Sequence, residues 1–426
     1  MRGSEHLATG GSGRTFPSHE APIEVEESEL SPSSRMARNL VIAGGLYLIF
    51  SLFVWSKLWT GHPTATATCG CGDSSLFTWF LNWPAYAISH GLNPLYTKTF
   101  YYPHGVNLLA STSQLAIGVV LAPITWIFGP VATLNVALTL SPALSALAMF
   151  FLLRRWVSWA PAAFVGGLLY GFSPFVITAL TNAHLMVGMA AVPPLVIACI
   201  DELLLRQRGR PVMIGIVLGL LVTLQFFIGV EVLLIMAIMT LVGLIIIVVY
   251  ALWKRPQSLR QRVRFAGLGL VAGGITSCVL LAYPAWFALN GPSSLHGAFW
   301  PASFNTSVGT SFNRFLIPQS ASSYRAGLSH TLVSLAFTKN AGGYPGPLLS
   351  NQYFGFGVAV VLIGGLAIWR QDLKLWFFAA LAAASGLLSL GTEKGQFLPW
   401  SMSRFLLKFS GGHSVFRLLP DRTLRV

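Results

Sequence analysis

The sequence predicts an all-α polytopic membrane protein with about nine transmembrane helices. Of its 426 residues, 54% are hydrophobic and only 9% are charged. Soluble globular proteins carry about 25% charged residues, so the composition excludes an ordinary soluble domain. Long apolar stretches alternate with short loops that contain arginines, which is typical of a multi-pass protein with a basic cytoplasmic side. That bias accounts for the net charge of +14, and no nucleic-acid partner is expected.

Residues 1–36 are predicted to form a disordered cytoplasmic tail. They are rich in Gly, Ser, Pro and Glu, and they contain six of the 13 acidic residues of the chain. Arg35 and Arg38 precede the first apolar span, 40–58. Since basic residues favour the cytoplasmic side, they place the tail inside and the following loop outside.

The first external loop, 59–130, is predicted to contain juxtamembrane helices. Trp79 and Trp83 belong to an aromatic stretch that suits the membrane interface, and a Gly-Leu-Asn-Pro turn at 91–94 ends it. Segment 114–128 is apolar but short and is interrupted by Gly118 and Pro123. If it crossed the membrane, three successive arginine loops would lie outside, so we interpret it as a juxtamembrane or re-entrant helix.

The remaining spans then alternate between the two sides. A second long external loop is expected at 290–352, between the seventh and eighth spans, and the transmembrane domain covers 37–390. Residues 391–426 form an external tail without a final span, which suggests a truncated chain or a segment packed on the outer face. The eight spans after the first are predicted at 131–153, 162–177, 187–205, 212–228, 230–253, 265–289, 354–369 and 375–390.

The cysteine and glycine patterns indicate no metal site and no ligand site. Cys69 and Cys71 are interpreted as free thiols or a small local disulfide, because no second Cys or His pair lies at metal-ligand spacing. Cys199 and Cys278 fall in apolar spans as small core residues. The glycine pairs at 44–45, 166–167, 273–274 and 364–365 favour close helix packing rather than a ligand.

Asp73 is the strongest candidate for a catalytic residue. It lies where the first external loop enters the predicted interfacial helix, beside Ser74 and Ser75. One interpretation is a helix N-cap, a role that Asp fills well. The other is a carboxylate at the membrane surface that takes a proton from an acceptor hydroxyl.

Three further residues of the outer face are candidates for the same cavity: Glu231, His184 and His104. Glu231 follows Gly229 at the outer end of a span, where an acid costs free energy unless it is paired or hydrated, which favours a functional role. The alternative is a partner for an outer-face Arg or a hydrogen bond to a neighbouring helix. His184 lies in the loop after the third span, where an ordinary interface histidine is the alternative.

Arg314 and Arg325 lie in the second external loop. A guanidinium matches a phosphate bidentately, so either could bind a leaving phosphate, and contact with lipid headgroups is the alternative. Glu393 and Asp421 lie among basic residues, which favours solvated ion pairs. Too few external acids are present for a carboxylate cage, so no metal site or cofactor is assigned, although a divalent metal stays open.

Several segments together resemble the GT-C fold of membrane glycosyltransferases. They are Gly72-Asp73-Ser74, the Asn93-Pro94 turn, the juxtamembrane segment from Ala122-Pro123 to Phe128-Gly129, Arg154-Arg155 after a span, and Tyr170 to Phe175. Segments 313–318 and 343–346 are similar to those of the YfhO-like branch, which is related to mannosyltransferases of the dolichyl-phosphate-mannose type. The resemblance covers roughly residues 39–390, and protein mannosyltransferases carry an Asp-Glu pair where this chain has Asp73 alone.

The resemblance implies an inverting sugar transfer on the extracytoplasmic face of the cell membrane. The donor would be a polyprenyl-phosphate-linked sugar, the acceptor an envelope glycan, lipid or protein, and Asp73 the general base. Membrane lipids are the surrounding partners. The alternative is a non-catalytic membrane protein, a lipid or glycan transporter or an assembly partner, with the same architecture.

Overall fold

The computed structural model describes residues 32–68, 72–254, 256–294 and 356–389. Helices dominate these segments. Two short strands, β1 (Tyr96–Thr97) and β2 (Val106–Asn107), pair antiparallel with Tyr96 opposite Asn107 and Thr97 opposite Val106. The helices are α1 Pro32–Val54, α2 Ser56–Thr60, α3 Gly72–Ser89, α4 Leu115–Val120, α5 Ala122–Phe128, α6 Pro130–Arg154, α7 Ala160–Gly171, α8 Pro174–Thr181, α9 Leu185–Gly188, α10 Val192–Asp201, α11 Pro211–Ile228, α12 Val230–Lys254, α13 Pro256–Asn290, α14 Phe356–Ile368 and α15 Leu373–Ser389.

Seven segments of the described chain are long and apolar enough to cross a membrane, which confirms a multi-pass all-α protein. They coincide with the first seven predicted spans: Ser34–Val54, Pro130–Arg154, Ala160–Thr181, Leu185–Arg206, Pro211–Ile228, Val230–Trp253 and Arg262–Asn290. The last two predicted spans fall on α14 and α15, which have 13 and 17 residues. A helix needs about 20 residues to cross the hydrocarbon core, so the lengths of α14 and α15 do not establish them as the eighth and ninth transmembrane helices.

Two of the crossings are broken rather than continuous. Between α7 and α8 the chain turns at Phe172 and Ser173, where the Ser173 hydroxyl caps α8 and Pro174 occupies its first turn. Proline suits a helix start because its missing N–H would be unpaired there anyway. The next crossing consists of α9, α10 and a π-helical turn at Glu202–Arg206.

The segment between α1 and α6 forms the juxtamembrane part of the fold. It holds α3, the β1–β2 pair, a 3₁₀ turn at Leu108–Ala110, and then α4 and α5. The apolar stretch 114–128 is divided into helices of six and seven residues. At 1.5 Å per residue each is about 10 Å long, so neither crosses a core of about 30 Å.

Glycines bring α11 and α13 into backbone contact. A β-carbon added at Gly219 would lie 2.6 Å from the carbonyl oxygen of Gly273, and one added at Gly273 would lie 3.0 Å from the carbonyl oxygen of Gly215. Gly273 therefore packs as the glycine pattern predicts, whereas a β-carbon at its neighbour Gly274 would meet no atom within 4 Å. Small residues at such a crossing allow two helices to approach in a membrane.

Side chains from loops far apart in sequence meet at two opposite ends of the helical bundle. At one end, called the Arg155 end, Arg155 contacts Asp201 at 3.0 Å and Glu202 at 2.5 Å, and Arg206 contacts Asp201 at 2.7 Å. Burial lowers the pKa of Arg155, but hydrogen bonds to Glu202 and Asp201 outweigh it and raise the pKa above its usual value. The other end, called the Asp73 end, holds the loops after α1, α8 and α11.

Candidate functional site

Asp73 and His184 form a hydrogen-bonded pair at the Asp73 end. Nε2 of His184 lies 3.2 Å from Oδ2 of Asp73, although the two residues are 111 positions apart in the chain. The Asp73 side chain is 61% exposed and that of His184 only 13% exposed. The pair therefore joins an accessible carboxylate to an imidazole that is held inside the fold.

The position of Asp73 follows from the start of α3. It lies in the first turn of that helix, where the helix dipole favours a negative charge. Within the described part of the chain its carboxylate bonds only to His184, and no N-cap bond, the alternative interpretation of this residue, is found there. One carboxylate oxygen is oriented by the imidazole, and the other is available to a hydroxyl group from solution.

His184 is presented by a strained turn. Ala183 has a φ of 61°, in the left-handed region that alanine rarely adopts, and it is fully buried. The turn is fixed by the backbone N–H of His184, which donates to the carbonyl of Ala179, and by the Asn182 amide, which donates to the carbonyl of Thr178. Strain of this kind persists only where the surroundings enforce it, and it is commonest at functional sites.

The imidazole is held against α3 by an aromatic ring. Phe77 meets His184 edge-on, with ring centroids 5.3 Å apart and planes at 76°. Phe77 lies four residues after Asp73, hence one turn further along the same face of α3. The Nδ1 atom of His184 is buried without a hydrogen-bond partner among the described residues. An ionised Asp73 accepts from Nε2, so Nδ1 has unused hydrogen-bonding capacity inside the site.

Glu231 approaches the pair from a third element. It lies in the first turn of α12, is exposed, and is close enough to His184 for their charges to interact. The approach depends on Gly229, because a β-carbon there would lie 2.8 Å from the carbonyl oxygen of Met186. The structure thus joins Asp73 and His184 directly and places the start of α12, which carries Glu231, against the turn that follows His184.

Two buried glutamines beside the site have no counterpart in the sequence interpretation. Gln114 and Gln225 are 1% and 0% exposed, and the side-chain oxygen of each has no partner among the described residues. The Gln114 amide faces the sulfur of Met186 at 3.6 Å, and Gln225 donates to the carbonyl of Gly229. For Gln225 the sequence did offer a signal, namely a glutamine within an apolar stretch, because a buried amide needs hydrogen-bond partners.

The other predicted site residues are not joined to this cluster. His104 is exposed, and its carbonyl accepts hydrogen bonds from Tyr96 and Ser293 instead. Arg314 and Arg325 lie outside the described residues, as do Cys69, Cys71, Glu393 and Asp421. In the described ranges, no group of three His, Cys, Asp or Glu side chains has the arrangement of a metal site.

The geometry suits proton transfer to an exposed carboxylate. An ionised Asp73 can accept a proton from a hydroxyl that reaches its free oxygen, and His184 fixes the orientation of that carboxylate. Glu231 adds a second acid at the start of α12. Comparisons with protein-family models, curated proteins and solved structures found no match to this chain.

Proposed function

We propose that this protein is a membrane glycosyltransferase of GT-C-like architecture, with about nine spans and its active site at the Asp73 end. The observation that carries the proposal is the hydrogen bond between Asp73 and His184, which orients an exposed carboxylate beside juxtamembrane helices. Such a carboxylate is suited to activate a hydroxyl nucleophile at the level of lipid headgroups.

The proposed reaction moves a sugar from a polyprenyl phosphate to an acceptor hydroxyl of an envelope glycan, lipid or protein. The acceptor oxygen attacks the anomeric carbon from the face opposite the phosphate, so configuration is inverted. The bond between the anomeric carbon and the phosphate oxygen breaks, and the polyprenyl phosphate leaves with that electron pair. The acceptor proton passes to Asp73, while His184 holds the carboxylate in position. Arg314 and Arg325 keep their expected role at the leaving phosphate.

Charge distribution supports an extracytoplasmic location of the site. Basic side chains are concentrated at the Arg155 end, as expected for the cytoplasmic side of the cell membrane. An N-terminus in the cytoplasm follows from the same argument. A site on the other face cannot draw on cytoplasmic nucleotide sugars, which favours a lipid-linked donor. The residues at the Arg155 end are Arg154, Arg155, Arg206, Arg208, Arg210, Arg262 and Arg264.

The test is a transfer assay in proteoliposomes that contain the purified protein, radiolabelled polyprenyl-phosphate hexoses and pentoses, and an envelope extract as acceptor. Asp73→Asn should reduce transfer by roughly a hundredfold or more, because an amide cannot take the proton. Asp372→Asn is the matched control, since this acid bonds the backbone N–H of Lys374 away from the site. Equal transfer by Asp73→Asn and the wild type would refute the role of Asp73.

His184→Gln separates positioning from base catalysis. An amide can still donate to Asp73, so His184→Gln should keep most of the transfer rate, whereas His184→Ala removes the hydrogen bond and should lower the rate, though by less than Asp73→Asn. An unchanged rate in His184→Ala would show that His184 does not orient the carboxylate. Transfer by no donor at all would favour the non-catalytic alternative, a transporter or assembly partner.

A further inference from the structure

A concavity lies at the far end of α3 from Asp73. It is an open groove of about 490 Å³ between the C-terminal half of α3 and the chain around β1. Small-molecule sites typically have volumes of roughly 300–1,000 Å³, so the groove is large enough for a ligand. The side chains that matter for its chemistry are Trp83, Tyr86, Asn93, Tyr96, Lys98 and Thr99.

Hydrogen bonds fix the walls of the groove. The indole N–H of Trp83 donates to the carbonyl of Pro94 at 3.1 Å. The Asn93 amide donates to the hydroxyl of Tyr283 on α13 at 3.0 Å, and its oxygen accepts from the backbone N–H of Leu95. Because these groups are already ordered, binding of a ligand would not incur the conformational entropy loss of ordering them.

Aromatic rings line the α3 side of the groove. Trp83 is only 7% exposed and is stacked on Trp79, with centroids 5.5 Å apart and planes at 14°. Tyr86 lies one turn further along α3, is 45% exposed, and is stacked on His90 with centroids 4.0 Å apart. Aromatic side chains offer flat apolar faces with polar tips, which suits a ligand that is itself apolar on one face and polar at its edges.

The polar groups at the rim have free capacity and little net charge. Lys98 is exposed and has no ion-pair partner in the described part of the chain. Thr99 contributes a hydroxyl beside it, which accepts from Thr97 at 3.0 Å. Among the described residues that line the groove, Lys98 is the only Asp, Glu, Lys, Arg or His. A single ammonium group can donate hydrogen bonds to hydroxyl oxygens, but it lacks the bidentate match to phosphate that a guanidinium provides.

We propose that this groove binds a saccharide, with a sugar ring against the exposed part of Tyr86 and its hydroxyls toward Lys98 and Thr99. A pyranose combines an apolar C–H face with a polar edge, which matches this lining. Tyr86 is 13 residues after Asp73, so the groove lies about 20 Å from it along α3. A bound oligosaccharide could therefore extend toward the carboxylate. Its assignment as the acceptor rests on the proposed function, whereas the binding itself does not.

The test uses the full-length protein in nanodiscs of zwitterionic lipid, applied to an array of neutral and anionic bacterial-envelope and plant oligosaccharides. The affinity for retained sugars is then measured by intrinsic tryptophan fluorescence. Tyr86→Ala and Thr99→Val should each weaken binding, Tyr86→Ala by at least tenfold. Tyr102→Ala is the control, because this residue is 83% exposed in the same loop but does not line the groove. Melting curves establish that each variant is folded.

Retention of no oligosaccharide by the wild type would overturn the proposal, and so would equal affinity in Tyr86→Ala. Binding of phosphatidylglycerol vesicles that is lost in Lys98→Gln, without sugar binding, would assign the groove to lipid headgroups instead. Sugar binding by the wild type without any transfer would refute the proposed function but not the saccharide site. Transfer by Tyr86→Ala with an unchanged acceptor KM would overturn the acceptor assignment alone.

Discussion

Gly219→Ala should destabilise the protein because α11 and α13 are in backbone contact at this residue. The added β-carbon would lie 2.6 Å from the Gly273 carbonyl oxygen and 2.6 Å from the β-carbon of Thr276. Ordinary contact begins near 3.4 Å, so the helices must separate by about 0.8 Å, and neither neighbour is the end of a flexible side chain. Overpacking of this kind costs about 1–3 kcal/mol.

Gly274→Ala is the matched control on α13, since its β-carbon would meet no atom within 4 Å. Both variants gain about the same helix propensity, up to about 1 kcal/mol, so the difference between them isolates the packing cost. We expect Gly274→Ala to be more stable than Gly219→Ala by about 1–3 kcal/mol in reversible unfolding in mixed micelles, followed by tryptophan fluorescence. Equal stability of the two variants would refute the close crossing.

Three further predictions concern topology and packing. In a chain without its native cysteines, an impermeant maleimide added outside cells should label Tyr102→Cys and not Ser158→Cys; the reverse pattern would contradict the orientation. Arg155→Ala should lower the free energy of unfolding by on the order of 3 kcal/mol, because it removes a partner of a buried carboxylate, whereas exposed Arg264→Ala should not. Asn135→Leu should cost about 2 kcal/mol and increase proteolysis of the loop before α3, because the Asn135 amide donates to two carbonyls of that loop at 2.8 Å. Unchanged proteolysis would contradict that role.

Hydropathy and loop charge predicted the helical crossings well because they depend on composition over many residues. The predicted span 131–153 differs by one residue at each end from Pro130–Arg154. The break at Ser173 was missed because residues 162–177 are apolar except for Tyr170 and Ser173, and a Pro at the first turn of a new helix resembles one inside a continuous span. Local hydrogen bonding, rather than hydrophobicity, decides between the two.

The composition of the site was less predictable than its location. Counting spans placed Asp73 and His184 at the same end, but their 3.2 Å contact depends on the left-handed turn at Ala183, which alanine does not signal. The approach of Glu231 likewise depends on the backbone contact between Gly229 and Met186. Such contacts are set by tertiary packing, and a single sequence does not encode them locally.

Donor consumption tests the proposed function most directly. Proteoliposomes with wild-type protein, polyprenyl-phosphate sugar and acceptor should release free polyprenyl phosphate and form glycosylated product in a one-to-one ratio, measured by mass spectrometry of the lipid and product fractions. Asp73→Asn should release roughly a hundredfold less. Release by the wild type at the level of Asp73→Asn, or of protein-free liposomes, would contradict a glycosyl transfer based on Asp73.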